Sequence, residues 1–196
     1  MKQIGITGGI GSGKSMVCQV FQTLDVPIYV ADDRAKWLTD HDPILKADIT
    51  RLLGPDAYTI QGKYNRPWVA SQVFQNPDLL QQLNRLVHPR VMADTLSWVD
   101  QHRSSPYVIK EAALMRAAGD HNTLDKVVVV QAPTQLRVKR VRQRDPHRSD
   151  AEIQAIIANQ MSDAERAEIA DYVLINDEAT LLLPQILALH NNFSTL

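Results

Sequence analysis

The chain has 196 residues, 44% of them hydrophobic and 22% charged, with a formal net charge of −1. That length supports one well-buried core with at most a small inserted subdomain, and the near-neutral charge supplies no basic field for a nucleic-acid partner. Apolar runs such as Val127 to Val130 are far too short to cross a bilayer, and the N-terminus enters a strand pattern directly, with no leader-like segment. A single cysteine, Cys18, excludes an internal disulfide and suits a reducing compartment, so a cytoplasmic location is expected. Cys18 itself is expected to pack as a small buried hydrophobe.

The apolar run Ile4 to Thr7 reads as a strand leading into Gly8-Gly9-Ile10-Gly11-Ser12-Gly13-Lys14-Ser15. This is the phosphate-loop pattern of Gly, four residues, Gly, Lys, then Ser or Thr. Glycines let successive N–H groups turn inward around phosphate oxygens, and Lys14 supplies a mobile cation for the β- and γ-phosphates. The Ser15 hydroxyl is of the type that holds Mg²⁺. Val17, Val20, Phe21 and Leu24 recur at helical spacing behind the loop, so a helix beginning near Lys14 points its positive end at the same anions. The strand–loop–helix setting predicts binding of a nucleoside triphosphate, with ATP and Mg²⁺ as the implied cofactors.

Val26 to Val30 reads as a second strand, followed by Ala31-Asp32-Asp33 and a helix carrying Ala35, Trp37 and Leu38. Carboxylates just past a strand end sit where open parallel sheets bind ligands, and aspartate is also a good helix cap. Two adjacent aspartates allow both roles. From Pro43 to Arg103 the pattern is helical: Ile44, Leu45, Ile49, Leu52 and Leu53 form one stripe, closed by Gly54-Pro55. Loop-like residues run through Gly62, Asn65 and Pro67. A second helix carries Leu79, Leu83, Leu86 and Val87, is interrupted at Pro89, and gives way to a third with Val91, Met92, Leu96 and Val99. Such a stretch predicts a helical insertion over 43–105 beside a nucleotide core of 1–42 and 106–196. Arg66 and His88 are its notable polar residues, each with a plain alternative: a solvated charge for Arg66 and a helix cap for His88.

Pro106 to Lys110, ending at Glu111, is the third strand, and Lys126 to Val130 the fourth, its continuous apolar run fitting burial on both faces. Pro133 suits the first residue of a helix whose Arg137, Arg140 and Arg144 share one face. Either a polyphosphate passes over those arginines or they form a solvated basic face. No aromatic residue is interleaved with them, which argues against RNA. Ser149 to Arg166 reads as polar and helical, placed as a lid would be, giving a lid over 137–168. Tyr172 to Ile175 is the fifth strand, and the helix from about Glu178 to His190 leaves a tail with Phe193 expected to fray.

Five strands alternating with helices behind a phosphate loop predict an α/β fold: a P-loop NTPase-type parallel five-stranded sheet flanked by helices, with a helical substrate-binding insertion and a helical lid. The whole pattern resembles the dephospho-coenzyme A kinase family over nearly the full length. Thr7 to Ser15 is that family's form of the loop. Ala31-Asp32 falls on its Asp-Ala-Asp, and Asn65-Arg66 on an acidic or amide residue followed by Arg. Val73-Phe74, Leu83-Asn84 and His88-Pro89 match its coenzyme A domain, and Arg140, Arg144-Asp145, Gln160, Ala170-Asp171 and Asn176 its lid and last strand. The sequence departs from the family in three places: Val30 replaces the first Asp while Asp33 is added, Met16 stands where Thr is usual, and Arg116 follows Leu114-Met115 where a glutamate is common.

The resemblance implies transfer of the γ-phosphoryl of ATP to the ribose 3′-hydroxyl of dephospho-coenzyme A. It implies Asp32, Lys14 and Arg140 as catalytic residues, and Gly9, Gly11, Ser12, Gly13, Lys14, Ser15, Met16 and Arg144 as nucleotide-binding ones. Asp32, Arg66 and His88 become acceptor-binding residues and Ser15 the metal ligand. The partners expected are small molecules alone, with neither nucleic acid nor membrane, and the chain a monomer or weak homo-oligomer. A different small-molecule P-loop kinase is the alternative; a GTPase-type switch is disfavoured by the absence of an Asn-Lys-x-Asp stretch.

Overall fold

The computed structural model describes residues 1–74 and 76–195. In chain order it builds β1 (Lys2–Thr7), α1 (Lys14–Thr23), β2 (Ile28–Val30), α2 (Ala31–His41), α3 (Pro43–Leu53), α4 (Arg66–Val73) and α5 (Pro77–Gln101). These are followed by β3 (Tyr107–Glu111), β4 (Lys126–Gln131), α6 (Thr134–Arg144), α7 (Asp150–Ala158), α8 (Asp163–Glu168), β5 (Tyr172–Ile175) and α9 (Leu182–Thr195). Contacts group them into two compact units, one of Met1–Val30 with His102–Leu196, the other of Ala31–Gln101.

The first unit holds the whole sheet: five parallel strands in the order β2-β3-β1-β4-β5. β1 lies at its centre, between β3 and β4, so the loop that leaves β1 emerges where the strand order reverses and where such sheets place ligands. Ile4 and Ile6 of β1, Ile109 of β3 and Val128 and Val130 of β4 form one core with Val17, Cys18 and Phe21 of α1 and Ile186 of α9. Each such side chain is worth about 1.5–3 kcal/mol when fully buried. Phe193, expected in a frayed tail, is 1% exposed in this core and packs edge-on against Tyr107 and Tyr172 at 5.5 Å in each case. Aromatic packing carries α9 to Thr195, well past the expected end.

The helical stretch over 149–166 is made of two helices. Ser149 and Glu152 form a capping box that starts α7, and Ser162 and Glu165 form a second that starts α8. The Ser-x-x-Glu spacing at 162–165 was a readable signal for the second start.

The second unit is helical apart from the 58–65 segment, where Tyr58 and Tyr64 form an isolated antiparallel bridge. Asp42 caps α3, accepting from the N–H groups of Ile44 and Leu45 at 2.9 and 3.0 Å, with Pro43 opening the helix. Leu38, Leu45, Ile49, Ala57, Val69 and Leu83 make its core. Two expectations fail here. Arg66 and Pro67, within the stretch read as loop-like, already open α4, which is capped by Asn65. Pro89 does not break the chain's second and third stripes apart: α5 is one helix of 25 residues with Pro89 inside it. An interior proline costs a helix about 3 kcal/mol. Packing of α5 against α2, α3 and α4 and the ion pairs Arg34–Asp94 and Arg90–Asp42 hold it continuous.

Candidate active site

The loop after β1 is shaped by backbone angles that only glycine takes readily. Gly13, the N-cap of α1, has φ of +101°, and a Cβ there would collide with the Asn176 side chain. α1 starts with no side-chain cap and no acidic residue in its first turn. Its N–H groups and the positive end of its dipole are therefore left for an anion. Lys14 Nζ donates to the Gly8 carbonyl at 2.9 Å and stands 4.0 Å from the Glu111 carboxylate. Both side chains are largely enclosed. Ser15 and Met16 are exposed on the first turn of α1.

Side chains from three later segments fasten this loop. Asn176, just past β5, donates from Nδ2 to the Ser12 carbonyl at 2.7 Å. Arg140 of α6 donates to the backbone and side-chain oxygens of Asn176 at 3.2 and 3.3 Å, so it stands one residue removed from the loop. Gln160, between α7 and α8, accepts from the Ile10 N–H at 2.8 Å. Arg137 donates from Nε to the Ile10 carbonyl at 3.0 Å.

The arginine stripe accordingly splits into three environments. Arg137 is neither a solvated charge nor an open phosphate contact: it is 2% exposed. Burial lowers its pKa from the ordinary arginine value, opposed by the neighbouring Asp163 carboxylate. Arg140 is partly buried beside Asn176. Arg144, at the exposed end of α6, pairs with the adjacent Asp145 at 2.8 Å.

Glu111 is the residue that sequence reasoning undervalued. It ends β3 directly beside β1, in register with Ile6, and is 7% exposed. Its position at the carboxyl end of a strand flanking the loop was the available signal. A carboxylate and the Ser15 hydroxyl are hard oxygen donors of the kind Mg²⁺ takes. No cluster of three or more metal-ligating side chains occurs among the described residues. Cys18 is buried as expected; burial, with a contribution from Glu111, pushes its thiol up to about 12 against the pull of Lys14.

In the helical unit, Asp32 and Asp33 both lie in the first turn of α2 and are exposed. The helix begins at Ala31, so Asp33 does not start it and strand alternation does not separate the two carboxylates. Asp33 is engaged by Lys36 at 2.8 Å, whereas Asp32 makes no side-chain hydrogen bond among the described residues. Arg66 is not merely solvated: it donates to the Lys36 carbonyl at 3.1 Å and lies 3.8 Å from Asp40. His88 is exposed in mid-helix on α5 and caps nothing.

A family model described as CoaE, dephospho-CoA kinase, matches residues 2–181. A Porphyromonas gingivalis protein named dephospho-CoA kinase is 37% identical, the match covering 95% of this chain and 91% of the relative. A crystal structure from Thermus thermophilus superimposes with a TM-score of 0.82 at 30% identity, over 100% of this chain and 97% of that one. The dephospho-CoA kinase of Campylobacter jejuni has the same fold, with a TM-score of 0.73 at 22% identity over 100% of this chain and 98% of the other.

Proposed function

The chain belongs to the dephospho-CoA kinase family, and we propose that the residues around its phosphate loop, with Asp32, carry out that family's reaction. It is a kinase that phosphorylates dephospho-coenzyme A, the last step of coenzyme A biosynthesis. The observation that supports the site assignment is the uncapped start of α1 beneath a glycine loop whose carbonyls hold Lys14.

ATP binds with its β- and γ-phosphates against Gly9, Gly11, Ser12, Gly13, Ser15 and Met16 of the loop and against Lys14. The 3′-oxygen of the acceptor ribose forms the new bond to the γ-phosphorus. The bond from that phosphorus to the bridging oxygen breaks, its electron pair leaving with ADP. The hydroxyl proton passes to the Asp32 carboxylate and on to solvent. Asp32 suits this because its neighbour Asp33 is occupied by Lys36. Arg140, oriented by Asn176, neutralises charge on the transferring group, and Arg144 binds the nucleotide's outer phosphates. Ser15 and Glu111 would hold Mg²⁺, which neutralises phosphate charge when bound. In a loose phosphoryl transition state, positioning and electrostatics of this kind supply most of the catalysis.

Arg66 and His88 bind the acceptor, the helical insertion over 43–105 carries its coenzyme portion, and 137–168 acts as a lid. The enzyme works in the cytoplasm as a monomer or weak homo-oligomer without a nucleic-acid partner; no helix among the described residues is long and apolar enough to cross a membrane. The test is coupled ADP release with dephospho-coenzyme A offered beside nucleotides, nucleosides and sugars. Turnover confined to dephospho-coenzyme A is expected. Preference for any other acceptor would overturn the acceptor assignment.

A further inference from the structure

Ile10 lies at the tip of the phosphate loop between two glycines, Gly9 and Gly11, the latter at φ +76°. Glycine on both sides leaves the two peptide groups that flank Ile10 free to rotate unless something outside the loop holds them. Each is held through the backbone of Ile10. Its N–H donates to Gln160 Oε1 at 2.8 Å, and its carbonyl accepts from Arg137 Nε at 3.0 Å.

Both grips trace back to one short turn. Gln160 opens the connection between α7 and α8, and Asp163 closes it three residues later. Asp163 accepts from Arg137 Nη1 at 3.2 Å and from Arg166 Nη1 at 2.7 Å, so it fixes the guanidinium that holds the carbonyl. Arg137 and Arg166 are 2% and 3% exposed. Arg137 Nη2 is buried without a hydrogen-bond partner and lies against Gly9, where a Cβ would strike it. Leaving a buried guanidinium nitrogen unpaired is costly, and such groups persist where they secure something else. The capping box of Ser162 and Glu165 sets the turn itself.

We propose that the 160–163 turn is a positioning element for the nucleotide: Gln160 directly, and Asp163 through Arg137, set the orientation of the two peptide groups that flank Ile10 and so preorganise the phosphate loop. This role rests on the loop being the ATP site. Gln160 is a positioning residue here, acting through a peptide rather than on the substrate. Because binding coupling is reciprocal, nucleotide in the loop also steadies the turn.

The experiment uses the full chain and Mg-ADP as probe. Gln160→Met removes the acceptor at nearly constant volume, and Asp163→Ala removes the support of Arg137. Each should weaken Mg-ADP binding about three- to ten-fold, the scale of one hydrogen bond, and raise the KM for ATP more than it lowers kcat. Their effects should be non-additive in the double variant, since both act on the backbone of one residue. Without nucleotide, amide hydrogen exchange at Ile10 should speed up in Gln160→Met and stay slow in Gln160→Glu, which keeps an acceptor oxygen at the same reach. Unchanged Ile10 exchange, or Mg-ADP affinity within about two-fold of wild type in both variants, overturns the role even if the variants melt earlier. Failure of the wild-type chain to bind Mg-ADP would overturn the nucleotide site and this role together.

Discussion

The Lys14 ammonium lies 4.0 Å from the Glu111 carboxylate while donating to the Gly8 carbonyl at 2.9 Å. The loop cation is thus held between its own backbone and an acid at the end of β3. Lys14→Ala removes the only mobile cation of the motif and should nearly abolish turnover while the melting temperature changes little. Glu111→Gln keeps the shape and removes the charge. It should lower kcat by about ten- to a hundred-fold and shift activity to higher Mg²⁺ concentrations. A Mg²⁺ titration at saturating ATP reads this, and an unshifted curve would remove Glu111 from the metal site.

Asp32 and Asp33 share the first turn of α2 but differ in their neighbours. Asp32→Asn should reduce kcat by about 10²-fold, the lower part of the range for a positioned general base, with ATP affinity little changed. Asp33→Asn loses an exposed ion pair worth about 0.2–1 kcal/mol and should leave turnover near wild type. Steady-state transfer to dephospho-coenzyme A by both variants decides the matter; a crippled Asp33→Asn beside a healthy Asp32→Asn reverses the assignment.

Arg140 is held by Asn176, which in turn holds the Ser12 carbonyl. Arg140→Ala should depress kcat by about 10²-fold or more, as removal of a transition-state donor does, and lower the melting temperature only slightly. Bound ATP analogue should protect residues 137–166 from limited proteolysis in the wild type. Equal cleavage with and without it would count against a lid.

Asp42 combines an N-cap with an ion pair to Arg90. Its desolvation alone would raise the carboxyl pKa, but the Leu45 N–H and Arg90 outweigh it, and the value falls below the ordinary 3.8. A lowered folded-state pKa means the stabilisation is complete above 3.8 and is lost as the pH falls through the lower, folded-state value. Asp42→Ala should cost about 1–2 kcal/mol at neutral pH, and the difference from wild type should shrink in acid melts as the pH falls below 3.8. A constant difference across pH would assign the loss to packing instead.

The phosphate loop was legible in the chain because its requirements are local. Glycines, a lysine and a serine at fixed spacing between an apolar run and a helical stripe define backbone geometry within about a dozen residues. The strands were legible for the same reason, each being a short apolar run with a turn on either side. The spacing of landmarks along the whole chain also carried the family, which the comparisons bear out.

What tertiary structure alone decided depends on contacts between residues far apart in sequence. Pro89 reads as a break, and packing against three other helices makes it the middle of α5. Phe193 reads as a loose end, and two tyrosines from different strands bury it. Arg137 shares its helical face with Arg140 in any pattern, but only the turn at 160–163 and the Ile10 carbonyl make it a buried strut. Helical periodicity says which side chains share a face; it carries no information about what that face meets. A partner 127 residues away, as Ile10 is from Arg137, is specified by the fold of everything between them, and the burial, pairing and orientation of the residues around the loop follow from that fold.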